Sequence, residues 1–416
     1  MAKRTADGSL RDLWAIVAAL ALVQAAAAAI GFAIPLWLAT TGSSSFQIGI
    51  AASCYMAGFL IGARLAPERI AGLGHIRAFI FFAACAGLAM LGFFAVGPGF
   101  LAIAIVELAL GLAIAGLFAT GESWIADAAP ATGRGRIIGL YYLIAKLGTM
   151  AGPFLVAGFA PGAAAGFMMM AALFFFAILP VATTSQAQPV PHPGGAFTLR
   201  DLWREAPASL QAALVAGAVN GAVLQLYPVY LAGIAPAAGL AAVAGFNACA
   251  QIGALSTQWP AGLYSDRMDR RVVIALLAGF GAAAALLLAL LGDSLPVAML
   301  LLLAALWGAG SLSFYGIAVA HAVDRAGEGK ATHAIAGLLM AWAFGATLGP
   351  VTAGALMSAA AGPRGLFLLA AALLGLLAIA MVYRRATHRP SPALEKEPFA
   401  PVSTTSVNIA EFDPRH

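Results

Sequence analysis

Twelve stretches of about 20 or more mostly apolar residues follow one another along the chain, and they restrict its fold more than any other feature. A helix needs roughly 20 such residues to cross the ~30 Å hydrocarbon core of a bilayer, because each residue adds about 1.5 Å. Only 9% of the residues are charged, whereas soluble domains carry about 25%. This excludes a cytosolic globular protein, a disordered protein and a nucleic-acid-binding protein. We predict an all-α membrane protein whose spans are residues 13–40, 46–66, 78–97, 100–126, 137–160, 165–184, 207–234, 239–263, 272–291, 296–322, 333–359 and 365–383.

The basic residues are distributed unevenly between the predicted loops, and this predicts the orientation of the chain. Of the 22 Lys and Arg residues, all but Lys146 and Arg364 lie in the alternate loops that include both chain ends. Basic loops face the cytoplasm. We therefore expect a multi-pass membrane protein with an uncleaved first helix and both termini in the cytoplasm (N-in/C-in).

A motif shared by the two halves of the chain indicates an internal repeat. The fifth and eleventh spans each contain G-x-x-x-G-P, at Gly148, Gly152 and Pro153 and at Gly345, Gly349 and Pro350. The two copies lie 197 positions apart, and Pro35 and Pro228 lie 193 apart. Small residues allow close helix packing and proline kinks a helix. We expect these motifs to act as helix pivots, with helix–helix dimerisation as the alternative.

The repeat and two polar stretches define the expected domains. Parallel repeats of six spans are a known transporter architecture. The stretches after the sixth and twelfth spans have no apolar period. We predict an N-terminal six-helix bundle (1–184), a cytoplasmic central linker (185–206), a C-terminal six-helix bundle (207–385) and a disordered cytoplasmic tail (386–416).

A charged loop after the eighth span resembles that of a known family. Residues 262–271 read G-L-Y-S-D-R-M-D-R-R, which resembles the G-x-x-x-D-R-x-G-R-R signature of the major facilitator superfamily, with Asp269 at the second glycine. The resemblance implies a secondary carrier, not an enzyme, that rocks two bundles around a central site. It also implies a cytoplasmic gate formed by Asp266, Arg267, Arg270 and Arg271. Topology control by positive charge is the alternative role of this loop.

Shorter stretches are similar to a bacterial subgroup of that superfamily, the YcaD-like transporters. They are residues 34–39 (I-P-L-W-L-A), Gln47-Ile48-Gly49, Glu122-Ser123-Trp124 and Arg134-Gly135-Arg136. The superfamily often has an arginine at the start of R-x-x-x-G in the fourth span. Here that pattern begins with Glu107 and ends with Gly111, so the arginine that usually couples proton movement is absent.

Three charged residues lie deep inside predicted spans, where a charge costs at least ~2.5–3.5 kcal/mol and therefore requires an explanation. Glu107 and Glu122 are 15 residues apart in the fourth span. Each residue turns the helix by about 100°, so their side chains lie only about 60° apart around the axis and share one face. Lys146 in the fifth span is closer in depth to Glu122. Our hypothesis is that Glu122 and Lys146 form an ion pair while Glu107 exchanges a proton. Alternatively, Glu122 reaches the membrane interface and Glu107 is a hydrogen-bonded helix contact.

Uncharged polar and aromatic residues inside the spans are further candidates for a substrate cavity. They are Gln24, Asn220, Tyr227, Asn247, Gln251, Trp307 and Trp342. Such side chains can bind a partly apolar ligand. The same side chains can also hold helices together in lipid, and that alternative stays open for each of them.

Motifs for other chemistries are absent from the sequence. Residues 327–331 lack the full pattern of a phosphate-binding loop, and there is no H-E-x-x-H or paired-cysteine motif. We expect no enzyme activity, cofactor, metal or bound nucleotide.

Alternating-access transport is the function that the sequence favours. Our first hypothesis is proton-coupled export of small amphiphilic or drug-like compounds. The alternative is proton-coupled uptake of a sugar, organic acid or other small metabolite. A polytopic membrane enzyme and a non-transporting scaffold are the outside classes. The expected partners are a small-molecule substrate, protons and the lipid bilayer, and the chain is expected to be a monomer.

Overall fold

The computed structural model describes residues 10–96, 99–128, 134–184, 199–326 and 331–387, which are almost entirely helical. Within these residues, 12 helical segments are long and apolar enough to cross a membrane, which confirms the predicted fold class. The first half contains α1 (Leu10–Thr40), α2 (Ser45–Leu73), α3 (His75–Val96), α4 (Phe100–Ala128), α5 (Arg134–Val156) and α6 (Ala164–Ala182). The second half contains α7 (Leu199–Glu205), α8 (Pro207–Ile234), α9 (Gly239–Arg267), α10 (Arg270–Leu291), α11 (Val297–Ser311), α12 (Phe314–Val323), α13 (Ala331–Ser358) and α14 (Gly365–Thr387).

Capping residues set where several helices begin and end. At the start of α2, the Ser44 hydroxyl accepts a hydrogen bond from the backbone N–H of Gln47 (3.3 Å). The side-chain oxygen of Gln47 in turn accepts one from the backbone N–H of Ser44 (2.9 Å). α2 ends before Gly74, whose φ of 77° favours glycine. Asp269 caps α10 by accepting a hydrogen bond from the Arg271 amide at 3.0 Å. These caps allow short connections between neighbouring spans.

Two elements differ from the sequence prediction. The predicted tenth span, 296–322, is divided into α11 and α12 by a turn at Leu312 and Ser313. Two glycines and two serines between positions 308 and 313 weaken the helix there. The stretch 185–206 has no predicted element, yet its last part forms α7 because Leu202 is buried where α7 packs against α8 and α13. Residues 185–198 and the predicted disordered tail beyond 387 lie outside the described residues.

The helices pair in the same way in the two halves. In the first half, α1 packs against α5 and α6, α2 against α4, and α3 against α6. In the second half, the corresponding pairs are α8 with α13 and α14, α9 with α11, and α10 with α14. This equivalence is the structural counterpart of the internal repeat in the sequence.

The bundle has two sides, which we name by the helix ends found there. The linker side is where α2 ends at Leu73 and α9 ends at Arg267, and the far side is where α1 ends at Thr40 and α13 ends at Ser358. The halves meet mainly through α1 with α8, α2 with α13 and α5 with α9. These three contacts surround the space described next.

Candidate functional site

A cavity of about 170 Å³ lies between the two halves. Its wall is built from α1, α2, α4 and α5 of the first half and from α8, α9 and α13 of the second. Its polar and aromatic lining residues are Gln24, Tyr55, Phe59, Phe118, Thr149, Asn220, Gln225, Tyr227, Asn247, Gln251 and Trp342. Because no lining residue is acidic or basic, the wall offers amide, hydroxyl and aromatic groups to a ligand.

Two residues of this wall each have a buried hydrogen-bond donor without a partner among the described residues. The donors are the hydroxyl of Tyr227 and the indole Nε1 of Trp342, both buried. The Tyr227 ring stacks on Phe246, with ring centroids 5.5 Å apart and planes at 11°. A buried donor without an acceptor costs about 1–3 kcal/mol. Neighbouring side chains cover both atoms, so a ligand in the cavity reaches them only after these side chains move.

Helices α5 and α9 join the two halves beside the cavity. Lys146 Nζ donates a hydrogen bond to Gln251 Oε1 at 2.8 Å, and Asn247 Nδ2 donates one to the backbone oxygen of Thr149 at 2.9 Å. Thr149, Asn247 and Gln251 also line the cavity. The polar groups of the wall thus hold the halves together as well as facing the cavity.

The hypothesis of a Glu122–Lys146 ion pair is wrong. Glu122 Oε1 accepts a hydrogen bond from the Tyr141 hydroxyl at 2.6 Å, whereas Lys146 reaches Gln251 in the other half. Tyr141 and Lys146 are five residues apart on α5, which is about 140° around the helix axis. They therefore face different neighbours, α4 and α9, although the sequence puts Glu122 and Lys146 at similar depths.

Glu107 is buried in α4, with 4% of its surface exposed, and it does not line the cavity. It lies close enough to Cys54 and Tyr55 of α2 to act on both electrostatically. No described residue forms a hydrogen bond or ion pair with it. Of these two neighbours, Tyr55 lines the cavity.

The structure brings six of the predicted cavity residues together on that wall, namely Gln24, Asn220, Tyr227, Asn247, Gln251 and Trp342. Trp307 lies elsewhere, fully buried in the second half with its ring 6.3 Å from that of Phe367. The prediction missed Tyr55 and Phe59, which lie four residues apart on one face of α2. That spacing of aromatic residues was the available signal. Gln225, Thr149 and Phe118 were also missed.

Helices α2 and α13 close the far side of the space between the halves. The hydroxyls of Ser53 and Ser358 each accept a hydrogen bond from a backbone amide of the opposite helix, at 3.1 and 2.8 Å. Gly49 and Gly354 permit this close approach, because a Cβ at either position would overlap a carbonyl oxygen of the opposite helix. We call this contact the far-side seal. The cavity lies on the linker side of it.

Comparison with known proteins identifies the family. The model of the Major Facilitator Superfamily matches residues 16–257 and 233–412, which together span nearly the whole chain. The chain belongs to the major facilitator superfamily. Its similar relatives include MFS-type transporters named YcaD, described as uncharacterized, from Shigella flexneri serotype 5b and Escherichia coli O139:H28. Each is 26% identical over 403 residues, covering 92% of this chain and 98% of the relative.

Solved structures of transporters share the fold of this superfamily member. A mutant of the nucleoside transporter NupG gives a TM-score of 0.75 at 15% identity, over 90% of this chain and 100% of that one. A bacterial homolog of the human lysosomal transporter Spinster, in an inward-facing and unoccupied conformation, gives 0.67 at 17% identity, over 92% and 95%. The chain therefore shares the fold of these proteins, and the match of the family model places it in a superfamily of multi-pass membrane transporters, which are not enzymes.

The signature loop of this MFS transporter forms a charged cluster at the linker side of the second half. Arg270, only 1% exposed, pairs with Asp324 at the end of α12 (2.6 Å) and with Asp266 (3.2 Å). Asp324 joins the predicted gate residues in this cluster, whereas Arg267 is exposed and makes no ion pair with a described residue. In this conformation the described contacts of Arg270 bind α9 and α10 to α12, within one half.

Arg271 extends the cluster to the last helix. It pairs with Asp269 at 2.7 Å and donates a hydrogen bond to the backbone oxygen of Arg384 at 3.0 Å. Burial raises the pKa of Asp269, but the hydrogen bonds from Arg271 outweigh it and hold that pKa below its ordinary 3.8. The ionised carboxylate thus stabilises the fold fully above pH 3.8, and this contribution is lost only as the pH falls through the lowered value.

The two G-x-x-x-G-P motifs pack helices within each half of the MFS fold. Their glycines face backbone carbonyls of the first membrane-spanning helix of the same half. Gly148 and Gly152 contact Ala21 and Ala25 of α1, and Gly345 and Gly349 contact Leu214 and Ala218 of α8. A Cβ at any of these glycines would crowd the facing carbonyl. These glycines therefore pack against a helix of the same chain. Their role as pivots, with Pro153 and Pro350, stays a prediction.

Proposed function

We propose that this MFS protein is a proton-coupled transporter of a small polar metabolite that works by alternating access. The observation that best supports this is the cavity between the halves, lined by amides and aromatic rings and closed at the far-side seal. An alternating-access carrier needs a central site between two repeats that opens to one side at a time. A seal on one side of a central cavity fits one such state.

We infer that the linker side faces the cytoplasm of a bacterial cell and that the membrane is the inner one. The far-side connections contain a single basic residue, Arg364, whereas the opposite loops contain 20 of the 22 Lys and Arg residues. Basic loops stay in the cytoplasm. With this orientation both termini are cytoplasmic, and the conformation with a closed far side is inward-facing.

The cavity favours a small polar metabolite over an amphiphilic drug. Its volume of about 170 Å³ is below the roughly 300–1,000 Å³ of pockets that hold drug-sized ligands. Its lining has no carboxylate to attract a cationic drug, and its amides and hydroxyls match hydroxyl and carboxyl groups. Of the two functions considered from the sequence, this supports transport of a sugar, organic acid or other small metabolite. The fold neighbours include proteins named as a nucleoside transporter and a fucose:proton symporter.

Glu107 is our candidate for the group that exchanges protons. An ionised carboxylate buried without a hydrogen bond or ion pair is costly, and Glu107 has neither among the described residues. Such a carboxyl group is stabilised by protonation while it is buried. It releases the proton when water enters the site. Its position behind Tyr55 allows solute binding in the cavity to affect that exchange.

Proteoliposomes test the proposed function. The purified protein is reconstituted with a pH-sensitive dye inside the vesicles, and sugars, nucleosides, small carboxylates and a lipophilic cation are added in turn. We expect proton movement with at least one small polar solute and none with the lipophilic cation. A response to the lipophilic cation alone would support drug export instead.

Replacing Glu107 tests the coupling step separately. We expect Glu107→Gln to reduce gradient-driven accumulation of the responding solute at least tenfold while leaving its counterflow exchange measurable. Glu68→Gln is the matched control, because Glu68 is an exposed acid on α2, and it should behave as the wild type. Unchanged accumulation in Glu107→Gln would assign the coupling to another group.

A further inference from the structure

We propose that the transported solute is a small organic anion, a carboxylate, whose charge is neutralised by Lys146. This inference rests on the proposed transport function and names its substrate class. Lys146 is partly buried in the middle of α5, and its described hydrogen bond is to the neutral amide oxygen of Gln251. Inside a membrane-spanning bundle, an ammonium group without a counter-ion is costly. A carboxylate ligand supplies that counter-ion.

The surroundings of Lys146 contain the cation but no described anion. The lining residues of the cavity include no Asp or Glu, and no described acid is within ion-pair distance of Lys146. Gln251 itself lines the cavity. The Nζ of Lys146, 2.8 Å from the Gln251 oxygen, is therefore one hydrogen bond away from the cavity.

The remaining wall has spare donors that suit an acceptor-only group. The side-chain amides of Gln24, Gln225 and Gln251 line the cavity, and their NH2 groups donate no hydrogen bond to a described residue. An ionised carboxylate has two oxygens and about four lone-pair sites, and it donates nothing. Unsatisfied donors and one cation therefore match an anion better than they match a neutral polyol or a cation.

The bond that the anion replaces is also one that joins the two halves. Lys146 belongs to α5 and Gln251 to α9. If a bound carboxylate accepts the hydrogen bond of Lys146 in place of Gln251, one contact between the halves is lost. The bond from Asn247 to Thr149 remains. Binding of the anion thus changes the contact between α5 and α9, which is the type of coupling that alternating access requires.

Matched ligand pairs that differ in charge test the proposal. The pairs are glucuronate with glucose and nicotinate with nicotinamide, and the readouts are thermal stabilisation of the detergent-solubilised protein and counterflow uptake in proteoliposomes. We expect a response to at least one carboxylate and at least a tenfold weaker response to its neutral partner. Lys146→Gln should weaken the carboxylate response at least tenfold, and Lys146→Arg should retain most of it.

A second variant keeps the test decisive if Lys146→Gln does not fold. Gln251→Glu puts a carboxylate beside Lys146 as an internal counter-ion, so we expect a folded protein whose response to added carboxylates is at least tenfold weaker. A stronger response to glucose or nicotinamide than to their carboxylate partners, unaffected by either variant, would overturn the anion inference and leave the proposed transport intact. No response to any member of the panel would count against both.

Discussion

At the scale of single residues, ion pairs in this chain differ sharply in burial, and their contributions to stability should differ accordingly. Arg270 is 1% exposed where it meets Asp324, while Arg364 and Asp293 form an ion pair with about half of each side chain in solvent. Removing one partner of a buried pair leaves an uncompensated charge and costs on the order of 3 kcal/mol. An exposed pair contributes about 0–1 kcal/mol.

We therefore expect Asp324→Asn to lower the unfolding temperature of the solubilised protein by several degrees, because the buried Arg270 then loses its ion pair with α12. Asp293→Asn is the matched control and should change that temperature little. Differential scanning fluorimetry in one detergent measures both variants. Equal effects of the two substitutions would mean that the cluster around Arg270 is not the stabilising contact described here.

The sequence predicted several residues of the cavity wall but not the neighbour of Lys146, because that neighbour depends on the rotation of a helix. Polarity within apolar spans singled out Gln24, Asn247 and Gln251, and all three lie on the cavity wall. Depth and helical angle could not reveal which helix stands beside Lys146, because that depends on how α5 is rotated against α1. The close contact of Gly148 with α1 sets this rotation, and it turns Lys146 toward α9 instead of α4.

At the scale of helices, the far-side seal depends on two glycines, and enlarging one should open it. A side chain at Gly354 would overlap the backbone oxygen of Ser45 on α2. We expect Gly354→Leu to favour states in which α2 and α13 are apart. The measurement is the labelling rate of Ser53→Cys by a water-soluble maleimide, in a chain whose Cys54, Cys85 and Cys249 are replaced by alanine.

Labelling should be several-fold faster with Gly354→Leu than without it. Gly375→Leu provides the control, since Gly375 lies in α14 and a Cβ there meets nothing within 4 Å. If both substitutions accelerate labelling equally, a general loosening of the fold explains the effect. If neither does, the seal does not need a glycine at position 354.

Hydropathy predicted the spans well because one physical requirement, the thickness of the bilayer, fixes their length and composition. It gave no sign of α7 or of the break between α11 and α12. The seven residues of α7 are fewer than any span, and Leu202 becomes buried only after α8 and α13 are in place. At Leu312 the helix is interrupted, but the residues around it stay apolar, so hydropathy does not reveal the interruption.

At the scale of the whole molecule, the internal repeat predicts two similar bundles but not their relative position. A repeat is compatible with a cavity open to either side, and states separated by only a few kcal/mol are all accessible to one sequence. The far-side seal is therefore information that the structure adds. It arises from contacts between residues about 300 positions apart, such as Phe46 and Ser358, which local sequence patterns do not reveal.

Locking that seal tests whether the halves must separate during transport. The Phe46 amide donates to the Ser358 hydroxyl at 2.8 Å, and we expect Phe46→Cys with Ser358→Cys to form a disulfide on oxidation in a chain without native cysteines, which the loss of free thiols verifies. We expect oxidation to abolish solute transport in proteoliposomes and reduction to restore it.

The control pair, Asp293→Cys with Arg364→Cys, also joins far-side positions, but both lie in the second half, where the native side chains form an ion pair. Joining that pair with a bismaleimide, which spans the length of the arginine side chain that it replaces, should leave transport intact, because rigid-body movement of the halves does not separate the two positions. Transport that continues through the locked seal would mean that solute passes without opening the far side between α2 and α13.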